Sequence, residues 1–119
     1  MSKALRVPDY LGHILLAMER VETYVKHLDE TGFMNNAMVQ DAVIRNIEIV
    51  GEASNNILRM DPVFAARHSE VPWQVMYAMR NRVAHAYDRI DIAIVWNTVQ
   101  YDLPRLRAQI SKLLSTIQA

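Results

Sequence analysis

Between Met79 and Tyr87 the sequence reads MRNRVAHAY, with two arginines, an asparagine, a histidine and a tyrosine packed close together. An imidazole has an ordinary pKa of about 6.5, so it can take up or release a proton near neutrality. A guanidinium can grip a phosphate through two parallel hydrogen bonds and stabilise negative charge that develops during a reaction. An asparagine can orient either partner. Arg80, Asn81 and His85 therefore have the residue types that phosphodiester chemistry needs. His85 would move the proton of a ribose 2′-OH or of a leaving oxygen, Arg80 would hold the phosphate, and Asn81 would support them. That is RNA cleavage without a metal, and no step in it calls for a cysteine, of which the chain has none. The same residues also fit a charged helix end, with Arg80 and Arg82 paired to Asp88, Asp91 or Glu52, because basic side chains near a helix C-terminus are favourable.

The spacing adds a constraint. Asn81 and His85 are four apart and share one helix face. Arg80 and His85 are five apart, which turns them about 140° from each other at roughly 100° per residue. A single helix does not easily aim both at one atom. The pattern points to a composite site, completed by a second protomer. Glu52, on an earlier helix, could orient Arg80 or His85, or could be a plain surface carboxylate. No Gly-rich phosphate loop, HExxH or GxSxG pattern occurs. His13, His27 and His68 are scattered, and only His85 keeps such company. No metal site and no cofactor is expected.

Four helices must position these groups. The first starts at Pro8-Asp9, where a carboxylate meets free N–H groups. It carries Leu11, Leu15, Met18, Val21 and Val25 on one stripe, and Gly32 is read as its stop. The second runs from about Asn36 to Met60 with Val39, Val43, Ile47, Val50 and Ile57 on its apolar side. Arg45, Glu48, Glu52, Asn55 and Asn56 form a polar strip. Gly51 in its middle costs about 1 kcal/mol against Ala, which close approach of another helix would explain. A loop from Asp61 leads to Val71. Pro72 opens the third helix, which carries Val75, Met76, Met79, Val83 and Ala86 to Tyr87. Asp91 caps a fourth helix that runs to about Ile117 and is kinked at Pro104. The pattern predicts a single all-α domain over residues 1–119, an antiparallel four-helix-type bundle. Its apolar surplus suits a dimer interface.

The totals agree with that. The chain has 119 residues, 51% hydrophobic and 22% charged, a globular balance for one domain. Gly 3 and Pro 4 are too few for the many turns of an all-β fold. Lys+Arg and Asp+Glu are 13 each, so the net charge is zero. There is no global attraction for nucleic acid, and any phosphate site must come from a local cluster or an assembled surface. The absence of cysteine is compatible with a reducing cytoplasm. The N-terminal MSKALRVPDYL lacks the apolar run of a signal peptide, and no uncharged stretch approaches the roughly 18 residues of a membrane span.

MRNRVAHAY resembles the R-x4-H-x-Y motif of HepT-type toxins in the HEPN superfamily, through Arg80, His85 and Tyr87. The resemblance extends along nearly the whole chain. YLGHILLAMERVETYV, QDAVIRNIEIVGEASNNI and VPWQVMYAMRNRVAHAYDRIDIAIVWNTVQYDLPRL occur in the family's order. It implies an all-α homodimer in which Arg80 and His85 of both subunits line a cleft, and an RNase toxin of a type VII toxin–antitoxin system that cleaves RNA without metal. It also implies a partner, a minimal nucleotidyltransferase (MNT) antitoxin, which moves AMP from ATP to the motif's tyrosine, here Tyr87. Bulk and negative charge added beside His85 would exclude an RNA phosphate. The alternative is a non-catalytic subunit that docks such a nucleotidyltransferase.

Overall fold

A computed structural model describes residues 4–118. Among them there is no strand. Seven α-helices follow one another: α1 Val7–Val25, α2 Glu30–Met34, α3 Ala37–Met60, α4 Pro62–Arg67, α5 Trp73–Ala84, α6 Arg89–Asn97 and α7 Leu103–Gln118. A π-helical turn, Thr98–Asp102, joins α6 to α7.

Short polar side chains start most of these helices. Free N–H groups at a helix start need acceptors, and Asp or Asn supplies one from the preceding residue. Asp29 accepts from Gly32 N at 2.7 Å, Asn36 from Val39 N at 3.1 Å, Asp61 from Phe64 N at 3.0 Å and Asp88 from Asp91 N at 2.9 Å. Asp9, in the first turn of α1, reaches back to the Arg6 N–H at 2.8 Å. Pro8 and Pro62 lie in first turns, where a missing N–H costs nothing.

The apolar stripes form one core, but Val75, expected on it, is exposed, and Leu15 and Val39 lie only at its margin. Leu11, Ile14, Met18 and Val21 of α1 meet Val43, Ile47, Val50 and Ile57 of α3. The core continues through Trp73, Met76, Met79 and Val83 of α5 and Leu103, Leu106, Ile110 and Leu113 of α7. Helix α3 is central: it packs most extensively on α1 and α5, while α1 also packs on α7. Arg107 of α7 pairs with Glu22 and lies 3.5 Å from Glu19, tying α7 to α1. Being partly exposed, those pairs contribute at most about 1 kcal/mol, against roughly 1.5–3 kcal/mol for each buried Leu or Ile.

Several boundaries differ from the sequence expectation, and the helix expected to be capped by Asp91 is capped by Asp88, to which the Asp91 N–H donates. Helix α1 ends at Val25, and Gly32 stops nothing, since it lies inside α2. A helix-ending glycine takes positive φ, and no described glycine does. Asp29 captures the Gly32 N–H instead and opens α2, which buries Phe33 against Trp96 with ring centroids 5.2 Å apart. The loop after Met60 contains α4. Pro72 precedes α5 as its cap and is not in its first turn. At Pro104 the single kinked helix becomes two. The Leu103 N–H bonds Thr98 O, five residues back, so a π turn absorbs the irregularity that the proline imposes.

Candidate functional site

Helix α5 is anchored by Trp73, Met76, Met79 and Val83, all buried at three-to-four spacing. The Trp73 indole also donates to His68 O at 3.1 Å, fixing the start of the helix. This orientation sets where the motif points. Arg80 falls on the flank facing α3, Arg82 falls on the other flank, and Asn81 is exposed between them.

The α3 flank is very close. A Cβ built on Gly51 would lie 2.7 Å from the Cβ of Arg80, 3.2 Å from Met76 O and 3.3 Å from Tyr77 O. The mid-helix glycine is thus explained by the approach of α5: no side chain fits there. The next residue, Glu52, pairs with the Nε of Arg80. Both side chains remain 40% or more exposed, so the pair holds a geometry more than it stabilises the fold. One face of the guanidinium is occupied and its terminal nitrogens remain available.

Helix α5 ends at Ala84, short of Tyr87. His85 is the capping residue, its backbone N–H bonded to Val83 O, and its side chain is exposed. Among the described residues no hydrogen bond joins His85 to Arg80, Asn81 or Glu52. The structure therefore brings Glu52 to Arg80 and leaves Asn81 and His85 unpartnered within the protomer. Tyr87 lies in the segment between α5 and α6 and is 86% exposed. Asp88 closes that segment by capping α6. Of the ion pairs open to a charged helix end, only Arg80–Glu52 forms among the described residues. Arg82 instead lines an open cleft of about 490 Å³ between α5 and α7, with Val75, Met79, Asp102 and Arg105.

A smaller open pocket, about 150 Å³, adjoins Glu52 from the other side. The polar strip of α3 supplies Arg45 and Asn56, and α1 supplies Tyr10 and His13. The two α1 rings meet edge to face with centroids 5.8 Å apart. The strip was visible in the sequence as a run of polar residues at helical spacing. That Tyr10 and His13 stand over it was not, because periodicity does not say which helix covers which. Among the described residues no three His, Asp or Glu side chains gather as a metal-ligand set. No helix of the described chain is long and apolar enough to cross a membrane.

Comparison with known proteins gives the family of the chain. The family model described as ribonuclease HepT-like matches residues 14–113. A protein of Thermococcus cleftensis named "Probable ribonuclease HepT" is 39% identical over 105 residues, 88% of this chain and 93% of that one. A Methanocaldococcus jannaschii protein named "Gamma-glutamylcyclotransferase and putative RNase" is 37% identical over 117 residues, 98% of this chain. This chain spans only 50% of that longer relative. A "Putative RNase" of Caldanaerobacter subterraneus subsp. tengcongensis is 32% identical over 105 residues. No solved structure matches. From the matched span and these identities, the chain belongs to the HepT-like ribonuclease family.

Proposed function

We propose that this protein is a metal-independent endoribonuclease, the toxin of an MNT/HepT (type VII) pair, and that it acts as a homodimer. The observation that carries this reading is the division of labour on α5. Arg80 is steadied by Glu52 on one flank, while His85 is free and exposed at the helix end. Two copies facing each other would offer two guanidiniums and two imidazoles to one phosphodiester. One His85 takes the proton of the ribose 2′-OH as the 2′ oxygen bonds phosphorus. The bond from phosphorus to the 5′ oxygen breaks, and the second His85 gives that oxygen a proton. Arg80 offsets the charge on the phosphoryl oxygens, and Asn81 supports the phosphate or the imidazole. Neutralisation falls to the nucleotidyltransferase partner. The Tyr87 hydroxyl attacks the α-phosphorus of ATP, pyrophosphate leaves, and the tethered AMP fills the approach to His85. The family supports the ribonuclease activity, and the exposure of Tyr87 supports its modification.

In buffer containing EDTA, wild type is expected to cleave single-stranded RNA. His85→Ala should lose about 10²–10⁴-fold in rate and its growth inhibition while melting like wild type. Unchanged cleavage by that variant would sink the assignment. The zero net charge favours one other reading, a non-catalytic subunit of the nucleotidyltransferase. Tight complex formation with no cleavage by wild type would select it.

A further inference from the structure

We infer that the pocket over the polar strip of α3 is a nucleotide subsite. Arg45 would hold a backbone phosphate of the RNA, and Tyr10 with His13 would receive the adjoining base. The inference rests on the ribonuclease reading and extends it to how the substrate is held beside the reacting phosphate.

Three features combine here. First, the pocket and the candidate reaction centre share a wall. Glu52 lines the pocket and is also the carboxylate that pairs with Arg80. A strand whose scissile phosphate rests on Arg80 would lay its neighbouring nucleotide over this groove. Second, Arg45 is exposed and forms no ion pair among the described residues, so its fork of donors is open to an anion. Third, the far wall carries the Tyr10–His13 ring pair, with Asn56 on the floor beside Ile49. Aromatic and imidazole rings supply a stacking surface for any base, and an amide can bond a base edge. A cation, a ring surface and an amide at one concavity match the phosphate of a nucleotide and the face and edge of its base. The carboxylates nearby are Glu52, already paired, Glu48, half-buried on the same strip, and the exposed Asp41 one turn before Arg45. None of them forms an ion pair with Arg45 among the described residues.

The test separates binding from cleavage. Binding is read by fluorescence anisotropy with an end-labelled single-stranded RNA of mixed sequence, on the His85→Ala background so that the probe survives. Arg45→Ala should weaken binding about tenfold and lower the salt slope by about 1, as loss of a phosphate contact does. Tyr10→Leu should weaken binding by a similar factor with the salt slope unchanged, as loss of a stacking surface does. Arg67→Ala, a cation on α4, is the control and should bind as the parent does. With His85 intact, Arg45→Ala should raise KM while kcat stays near that of wild type. Melting curves identify any variant that fails to fold, in which case Arg45→Gln and His13→Gln replace it. If binding and KM are unmoved while wild type still cleaves, the subsite is wrong and the ribonuclease reading stands. If wild type binds RNA through Arg45 but cleaves nothing, the subsite stands and the ribonuclease reading falls. If wild type neither binds nor cleaves, both fall.

Discussion

Tyr87 has 86% of its surface exposed, more than any other large apolar or aromatic side chain described. Exposure alone does not select it, since Tyr101 is 74% exposed. Its distinction is position, two residues past His85 in a short segment between helices. In the proposed enzyme a group attached there would sit beside His85 and in the way of an RNA phosphate. Incubation with the cognate nucleotidyltransferase and ATP should add the mass of AMP to wild type and nothing to Tyr87→Phe; a gain that persists in Tyr87→Phe would move the modification elsewhere. Much of this was legible in the residues. Types and spacing singled out Arg80, Asn81 and His85, the family resemblance added Tyr87, and Glu52 was among the possible partners of Arg80. What spacing could not decide was which carboxylate Arg80 takes. That depends on how near α5 comes to α3, and three-dimensional distance is not encoded in helical period.

At the scale of elements, the crossing of α3 and α5 controls the site. Gly51→Ala adds a methyl where Arg80 Cβ, Met76 O and Tyr77 O leave no room. Helix propensity favours the change by about 1 kcal/mol, but overpacking costs roughly 1–3 kcal/mol, and two of the three obstructing atoms are backbone that cannot turn aside. The expected result is a melting temperature lower by a few degrees, with RNA cleavage reduced further than stability alone explains, because Arg80 is pushed from its place. A rise in melting temperature would contradict this packing. Two helix starts were readable, since Asn36 and Pro8 announce them chemically, but Asp61-Pro62 reads as the end of a helix and the opening of a loop, whereas Asp61 caps α4. Helix α2 and the π turn were hidden. Gly32 looks like a stop until Asp29 is seen to hold its N–H, and Pro104 announces an irregularity without saying whether a kink or a π turn resolves it.

For the whole molecule, the proposed assembly makes a distinctive demand. Arg80→Ala and His85→Ala should each be inactive alone. Mixed after dissociation and reassociation with an excess of the double variant Arg80→Ala/His85→Ala, wild type should lose cleavage more steeply than its dilution, because a mixed dimer holds one Arg80 and one His85 where the proposed reaction uses two of each. Activity that stays proportional to the amount of wild-type chain would argue that each protomer works alone. The packing of α1 against α7 has a further consequence, one of timing. Ribosomes add about 5–20 residues per second, so Arg80 and His85 are made a few seconds before α7 is complete. Until then the apolar faces that α7 covers on the earlier helices lack their last partner, and the core cannot close. The motif is therefore synthesised before the helix that completes its scaffold, and the order of synthesis leaves it unsupported until α7 has been made.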